Sequence, residues 1–338
     1  MLTSELDYEL PEALIAQKPA EPRDSSRLMV VDVGEGTISH HVFADLPRFL
    51  RQGDALVLNE TKVLPARVVA HKPSGGEVEL LFLRDQGGPW EVLARPSRRL
   101  APGLVLSAGG EELEVVKSLG GGHWILKGRD VPGTLERSGQ MPLPPYIEPS
   151  ADAERAYQTV YARNPGSAAA PTAGFHFTHR VLAQAEGAGA EIARITLHIG
   201  AGTFAPIRAS RLEEHAMHSE YYSVPDLAAQ TVESAGRVVA AGTTVARTLE
   251  SWAAGGVREG ESRLFIYPGY EWRTVDALLT NFHLPRSTLL AMVMSFGGER
   301  LVREAYRVAV EERYRFYSFG DAMLLTGGGR NLWIPRSP

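Results

Sequence analysis

The stretch that begins KVLPARVVAHKPSGGEVELLFLRDQGGPWEVLARP (residues 62–96) decides the fold, and its pattern continues to residue 149. Short runs of β-branched and apolar residues alternate in it with glycine-rich turn signals. Short strands at this spacing, with no long amphipathic helix between them, are typical of a small all-β barrel or sandwich. Six strands are predicted, at Val63–His71, Glu77–Arg84, Trp90–Ala94, Leu104–Ser107, Glu112–Lys117 and His123–Lys127.

The sequence before this stretch contains one helical pattern and two extended runs. Residues 4–17 are predicted to form a short helix that ends before Lys18-Pro19. Arg27–Val33 and Thr37–Phe43 then flank Gly34-Glu35-Gly36, which is similar to the glycine turn of nucleotide-binding methyltransferases. Such a turn leads into a helix. Because residues 37–43 are rich in β-formers instead, a β-hairpin is predicted.

After residue 152 the pattern changes to alternating helices and strands. Helices are predicted at Thr178–Ala185, Thr244–Trp252, Ser287–Phe296 and Glu299–Arg313, and strands at Glu191–His198, Arg237–Ala241, Arg263–Tyr267 and Ala322–Leu325. This alternation indicates an α/β protein. We therefore predict a barrel-like α/β main domain formed by residues 1–61 and 150–338, with an all-β small barrel inserted at residues 62–149.

Composition limits the chemistry available to the chain. Its 338 residues contain no cysteine, which excludes disulfides, thiolate nucleophiles and cysteine-held metal sites. A cytoplasmic enzyme without membrane contact is expected, because no apolar run could cross a bilayer and the N-terminus is acidic. The net charge of −5 provides no general attraction to nucleic acid. One local basic patch is either a phosphate contact or a solvated loop, and its arginines are Arg95, Arg98 and Arg99.

The segment Gly166–Thr178 is the first of two candidate ligand loops. Its side chains are small up to Phe175, so a ligand could approach the backbone closely at Thr172 and Gly174. His176 lies between two phenylalanines, an environment that shifts the pKa of an imidazole. The alternative is a tight turn around a buried, hydrogen-bonded histidine.

The second candidate loop follows the predicted strand that ends at His198. Gly200, Gly202 and Thr203 come directly after this histidine, and Arg208 follows them. Ligand-binding groups of α/β proteins lie at such strand ends. A structural glycine turn is the alternative.

Four further segments carry residue types that bind ligands. Gly242-Thr243-Thr244 with Arg247 is a strand–turn–helix candidate, and Asn281 and His283 precede a predicted helix. An aromatic segment that could stack on a nucleobase contains Tyr317 and Phe319. His215 and His218, three residues apart on a predicted helix and followed by Glu220, could bind a metal ion, although a polar network or a surface helix is favoured.

A series of sequence motifs, in their order along the chain, resembles the motifs of one family, the S-adenosylmethionine:tRNA ribosyltransferase-isomerases of queuosine biosynthesis. The motifs are Asp7-Tyr-Glu-Leu-Pro11, Arg23-Asp-Ser-Ser-Arg27, Asn59-Glu-Thr-Lys-Val-Leu-Pro-Ala-Arg67, Ala170-Pro-Thr-Ala-Gly-Phe-His-Phe-Thr178, Thr196-Leu-His-Ile-Gly-Ala-Gly-Thr-Phe204, His215-Ala-Met-His218-Ser-Glu220, Thr280-Asn-Phe-His-Leu-Pro-Arg-Ser-Thr288 and Tyr314-Arg-Phe-Tyr-Ser-Phe-Gly-Asp-Ala-Met323.

The resemblance implies an α/β domain with a β-barrel insertion, and a pair of substrates. These are S-adenosylmethionine and tRNA that carries 7-aminomethyl-7-deazaguanine at the wobble position. The implied products are epoxyqueuosine in the tRNA, adenine and methionine. S-adenosylmethionine is then a consumed substrate, with no further cofactor and no metal, so the resemblance argues against zinc at His215 and His218.

Roles for individual residues follow from what this reaction requires. One group must remove the acidic proton beside the sulfonium, and another must protonate the departing adenine. We assign proton transfer to His176 and His198, with His283 as a third catalytic residue that positions ribose or adenine. Arg208 or Arg247 is expected to hold the methionine carboxylate. The residues expected to bind S-adenosylmethionine are Thr172, Gly174, Gly200, Gly202, Thr203, Arg208, Thr243, Thr244, Arg247 and Asn281. Those expected to contact RNA are Arg95, Arg98, Arg99, Tyr317 and Phe319.

Two other classes of protein compete with this interpretation. An S-adenosylmethionine-dependent RNA methyltransferase is favoured by the Gly34-Glu35-Gly36 turn, and it would release S-adenosylhomocysteine in place of adenine and methionine. An RNA-binding module without catalytic activity would bind no S-adenosylmethionine. The chain is expected to act as a monomer.

Overall fold

The computed structural model describes residues 1–200 and 206–332. Their strands are β1 (Arg27–Asp32), β2 (Thr37–Val42), β3 (Asp54–Asn59), β4 (Thr61–Val63), β5 (Arg67–His71), β6 (Glu77–Asp85), β7 (Pro89–Arg95), β8 (Val105–Ala108), β9 (Glu111–Gly120), β10 (His123–Lys127), β11 (Asn164–Ser167), β12 (Glu191–Leu197), β13 (Glu220–Ser223), β14 (Arg237–Ala241), β15 (Glu259–Ser262), β16 (Ala277–Asn281) and β17 (Ala322–Thr326). Their α-helices are α1 (Val131–Ser138), α2 (Ala151–Ala156), α3 (His179–Gly187), α4 (Asp226–Ser234), α5 (Thr243–Gly255), α6 (Thr288–Gly297) and α7 (Glu299–Glu311).

Nine strands form one large mixed sheet in the order β15-β13-β12-β3-β14-β16-β17-β1-β2. The four strands β12, β3, β14 and β16 run parallel to their neighbours within this group. Central β3 is buried along its whole length, as expected for a strand that is covered on both faces. Ala55 and Val57 pack into the core formed with α4, α5 and α6, and Leu56 and Leu58 pack into the core formed with α3.

The predicted insertion is a closed antiparallel barrel of six strands in the order β10-β7-β6-β5-β8-β9. Alternate residues point inward along its strands, as in β7, where Trp90, Val92 and Ala94 are buried. The barrel has its own apolar core, which includes Leu80 and Phe82. The predicted fold class, α/β with an inserted all-β barrel, is confirmed. All six strands lie within residues 62–149, and the domain boundaries at those two positions stay a prediction.

Several elements of the main domain match their predictions. Arg27 pairs with Val42 in an antiparallel hairpin, so the glycine turn at residues 34–36 does not lead into a helix. Helices α6 and α7 and strands β14 and β17 form close to the predicted positions. The helices described here are too short or too polar to cross a membrane.

Two local predictions are wrong. Residues 4–17 form two single 3-10 turns, Thr3–Leu6 and Glu12–Leu14, in place of a helix. The backbone on both sides of Ile15 instead pairs with Phe316, which donates to Leu14 and accepts from Ala16.

The strand predicted at Arg263–Tyr267 lies earlier in the chain, at Glu259–Ser262. Strand β13 offers its hydrogen-bonding groups to that segment, which becomes the edge strand β15 of the sheet. The apolar residues Leu264, Phe265 and Ile266 line a cavity and pack against the core instead. Both wrong predictions have one cause: the backbone conformation there depends on which distant segment offers hydrogen-bonding groups. The local sequence pattern carries no information on that pairing.

Candidate active site

The carboxyl ends of four parallel strands meet at one edge of the large sheet. Asn59 ends β3, His198 follows β12, Gly242 follows β14 and Asn281 ends β16. Ligands of α/β proteins bind at this edge because the loops there diverge and expose backbone groups. The first predicted ligand loop reaches this edge through Thr172, which contacts Asn281, and the second begins there, directly after His198.

Asn59 joins three of the segments at this edge. Its Oδ1 accepts hydrogen bonds from the backbone N–H groups of Thr61 (3.1 Å) and Leu197 (3.0 Å), and its Nδ2 donates to the Leu197 carbonyl (3.1 Å) and to Thr244 Oγ1 (3.4 Å). A buried amide with all of these partners holds β3, β12 and α5 in register. Sequence reasoning quoted this residue within a motif but assigned it no role.

Three small cavities lie side by side along the strand ends, and together they form a cleft. Neighbouring cavities share lining residues: Thr172, Asn281 and His283 belong to the first two, and Thr243 and Thr244 belong to the second and third. The first also contains Tyr146 and Tyr317, and the third contains Arg247. The structure thus brings together the predicted residues Thr172, Thr243, Thr244, Arg247, Asn281, His283 and Tyr317.

His176 lies behind this cleft, buried at 4% exposure. Its Nδ1 is 2.8 Å from Ser26 Oγ and its Nε2 is 3.2 Å from Asn281 Nδ2, while its ring stacks on Phe43. Burial lowers the pKa of this imidazole to about 4, because the low-dielectric surroundings disfavour its charged form. Its environment matches the alternative named above, a buried and hydrogen-bonded histidine. The sequence analysis assigned no role to Ser26, although the motif Arg23-Asp-Ser-Ser-Arg27 contains this residue.

His283 is buried beside Asn281 and lines the first two cavities. Its Nε2 lies 2.7 Å from Thr280 Oγ1, and burial lowers its pKa to about 3. Two tyrosines hold its backbone: Tyr306 Oη accepts from its N–H (3.0 Å) and Tyr8 Oη donates to its carbonyl (2.5 Å). The imidazole is therefore neutral at physiological pH.

His198 is only half-buried, unlike the other two histidines. Its Nδ1 lies 2.8 Å from Thr61 Oγ1 and its ring stacks on Tyr221. A Cβ placed on Gly166 would lie 2.7 Å from His198 Nε2, and Gly166 has a φ of +143°, so glycine is required at this close approach. Burial lowers the pKa of His198 below its ordinary value.

Arg247, on the first turns of α5, forms a buried ion pair with Glu220 of β13. Glu220 Oε1 also accepts a hydrogen bond from the Gly200 backbone N–H (2.8 Å). Burial lowers the pKa of the guanidinium to about 10. The carboxylate that Arg247 contacts in the structure belongs to Glu220, whereas the sequence analysis expected either Arg208 or Arg247 to hold the carboxylate of methionine.

The remaining predicted residues lie farther from these cavities or cannot be placed. Arg208 is exposed, and Arg95, Arg98 and Arg99 are exposed on the barrel. Phe319 is buried against Phe175 and Tyr157, which leaves its ring no open face for a base. Gly174 lies in a 3-10 turn (Thr172–His176) at the cleft. Gly202 and Thr203 lie outside the described residues.

The helix predicted to carry His215 and His218 is absent: a 3-10 turn ends at Glu214, and the chain enters β13 at Glu220. His215 packs against Phe265 instead. The described part of the chain contains no group of three or more histidine, aspartate or glutamate side chains arranged to hold a metal ion.

The fold and site together define a mixed α/β enzyme with an inserted β-barrel and a ligand cleft at its parallel strand ends. The family described as queuosine biosynthesis protein matches residues 3–325, and the chain belongs to this family.

Proteins named S-adenosylmethionine:tRNA ribosyltransferase-isomerase are similar over almost the whole chain. The Rubrobacter xylanophilus protein is 74% identical over 333 residues, covering 98% of this chain and 100% of the relative. The Moorella thermoacetica protein is 52% identical over 342 residues, covering 96% and 100%. A crystal structure of the Thermotoga maritima S-adenosylmethionine tRNA ribosyltransferase matches with a TM-score of 0.57 and 37% identity, covering 95% of this chain and 100% of that one. The resemblance read from the motifs is confirmed, and the chain is an enzyme of the transferase class.

Proposed function

We propose that this enzyme transfers and isomerises the ribosyl group of S-adenosylmethionine onto 7-aminomethyl-7-deazaguanine at the tRNA wobble position. The products are epoxyqueuosine-tRNA, adenine and methionine. The observation that carries the proposal is 74% identity, across 98% of the chain, to a protein named for this activity. The cleft supports it, because small polar residues line the strand ends where a nucleoside could enter.

The chemistry breaks the carbon–sulfur, glycosidic and ring carbon–oxygen bonds of the ribosyl unit and forms three bonds: one to the amine, one carbon–carbon bond that closes the cyclopentane ring, and the second carbon–oxygen bond of the epoxide. Of the two protons removed, from the C–H group and from the amine, one goes to adenine and one to solvent. The carbon–sulfur bond releases methionine, the glycosidic bond releases adenine, and the ribosyl carbon bonds to the amine of the modified base. The positive sulfur makes the neighbouring C–H group acidic, so a neutral base of moderate strength suffices to remove its proton.

His198 is the base that the geometry favours. Its lowered pKa keeps it neutral at physiological pH, Thr61 orients one ring nitrogen, and the other faces the backbone of Gly166. His176 and His283 stay predicted participants in proton transfer. Thr172, Thr243, Thr244 and Asn281 line the part of the cleft where we place the adenosyl group.

The barrel arginines are proposed to contact tRNA phosphates, since Arg95, Arg98 and Arg99 are all exposed. A tRNA substrate places the reaction in the cytoplasm. We further propose that the enzyme acts as a monomer and that S-adenosylmethionine is consumed without another cofactor.

A single-turnover assay with a modified anticodon stem–loop tests the proposal. The enzyme is expected to convert S-adenosylmethionine into adenine and methionine in equal amounts, and His198→Ala should slow adenine formation by about 10²–10⁴-fold. His179→Ala, which removes an exposed histidine of α3, is the control. Formation of S-adenosylhomocysteine would show an RNA methyltransferase instead, although the turn that favoured that class is a β-hairpin here.

A further inference from the structure

We propose that Ser26 and His176 are a positioning pair that holds the Asn281 amide with its oxygen available to the cleft, where it accepts a hydrogen bond from the adenine amino group. This inference rests on the proposed function, because that function supplies adenine as the ligand. It assigns a role to Ser26 and gives His176 a role other than proton transfer.

The orientation of the Asn281 amide follows from a partner that can only accept. Asn281 Nδ2 lies 3.1 Å from the Tyr317 carbonyl oxygen, which has no proton to donate. The amide nitrogen must therefore face this carbonyl, and its second hydrogen points to His176 Nε2 at 3.2 Å.

The same argument determines the tautomer of His176. Because Nε2 accepts from Asn281, the proton of the neutral imidazole is on Nδ1, and Nδ1 donates to Ser26 Oγ at 2.8 Å. Both ring nitrogens are thus occupied inside the protein, and the ring is held on its face by Phe43. A base for substrate would need one of these nitrogens to be open.

With both amide hydrogens used, Asn281 has only acceptor capacity left for a ligand. Among the described residues, its Oδ1 receives one hydrogen bond, from Thr172 Oγ1 at 3.3 Å, and both residues line the first two cavities. An sp² oxygen has two lone pairs, so one remains. A ligand group that meets this oxygen must be an N–H or O–H donor.

The wall beside Asn281 is aromatic, which points to a planar donor. The rings of Tyr146 and Tyr317 are 4.7 Å apart and both line the first cavity. Tyr317 has a φ of +69°, a costly conformation for a bulky residue that surrounding contacts must stabilise. Such outliers concentrate at ligand sites. An amino-substituted purine combines the flat face and the donor that this corner requires.

The proposal is tested by comparing two binding affinities, that for S-adenosylmethionine and that for its 6-oxo analogue, in which hypoxanthine replaces adenine. The 6-oxo group faces the Asn281 oxygen with a second acceptor, so the wild-type enzyme should bind the analogue at least about tenfold more weakly. Ser26→Ala and His176→Ala should reduce this ratio because the amide nitrogen then keeps only the Tyr317 carbonyl as a well-oriented partner, so the amide is held less firmly. His176→Gln places an amide oxygen where Nε2 lies in the wild type, so the ratio should return to the wild-type value and the rate of adenine release to within about tenfold of wild type. Calorimetry measures the ratio.

Matched controls are Ser25→Ala and His179→Gln, whose side chains lie outside the cleft lining, and thermal unfolding monitors the fold of every variant. Equal binding of both ligands by the wild type would overturn the adenine contact. If His176→Gln discriminates normally but releases adenine as slowly as His176→Ala, His176 transfers protons and the positioning role is overturned. An enzyme that discriminates but never forms adenine would overturn the proposed function alone.

Discussion

At the scale of single residues, three histidines with similar sequence surroundings have different environments. His176 and His283 are buried and neutral, and each has a ring nitrogen in contact with a buried protein hydroxyl. His198 is half-exposed and has one nitrogen directed to a glycine. Burial strengthens the hydrogen bonds of the first two but excludes the solvent that a proton shuttle needs. Among the three, the half-exposed histidine is therefore the best placed for proton transfer.

The lowered pKa of His176 predicts a loss of stability in acid. Above pH 6.5 the imidazole is neutral in the folded and the unfolded state, so its protonation does not change the free energy of unfolding. Between pH 6.5 and 4 the unfolded chain binds a proton that the folded chain does not, so the free energy of unfolding falls as the pH is lowered. His176→Gln should reduce the difference in urea unfolding free energy between pH 7.5 and 5.0 by about 2 kcal/mol. The same difference in His179→Gln should equal that of wild type; an unchanged value in His176→Gln would contradict the prediction.

At the scale of elements, the 3-10 turn Thr172–His176 brings a loop and a strand end together. Thr172 reaches Asn281 of β16, and His176 reaches the same residue from behind. The turn can approach this closely because Gly174 has no side chain where Tyr161 packs. The small residues of this segment therefore serve packing as well as ligand access.

Gly174→Ala should destabilise the protein through this contact. A Cβ at this position would lie 2.2 Å from the Tyr161 hydroxyl and 2.7 Å from Thr159 Cγ2. Overpacking of this kind costs about 1–3 kcal/mol. Calorimetric melting should show a lower Tm for this variant. Gly187→Ala, in α3, meets no atom within 4 Å and should leave the Tm unchanged or raise it. Equal melting of the two variants would refute the close approach at Gly174.

At the scale of the whole molecule, two of the contacts among the described residues connect the barrel region with the α/β domain. The short strands β4 and β11 pair on either side of the insertion in the chain. Farther away, Arg84 of β6 forms an ion pair with Glu261 of β15, the edge strand of the large sheet. The barrel thereby presents its exposed arginines beside an α/β domain that holds the cleft.

Replacement of Arg95, Arg98 and Arg99 together by alanine should weaken tRNA binding without altering S-adenosylmethionine binding. Each lost phosphate contact lowers the slope of log affinity against log salt by about 0.7–0.9, so the slope should fall by about 2. Filter binding at several salt concentrations measures it. Alanine at Arg300, Arg303 and Arg313, three exposed arginines on and beside α7, is the matched control. A slope equal to that of wild type would exclude the barrel patch as the RNA contact.

Local pattern was sufficient for elements whose residues determine their own conformation. The glycine turns and alternating apolar residues of the barrel predicted its strands, because period-two burial is a property of each strand alone. The same pattern failed for residues 4–17 and for Arg263–Tyr267. There the backbone conformation depends on which distant segment, Phe316 or β13, offers hydrogen-bonding groups.

By itself the sequence determined the fold class, the family and the small-residue loop whose Thr172 lines the cleft. Only the tertiary structure decided which atoms in that cleft remain available. It placed Ser26 against His176, 150 residues away, and it paired Arg247 with Glu220. The physical reason is that a side chain's chemistry depends on its hydrogen-bond partners and its burial, and distant segments supply both once the chain has folded.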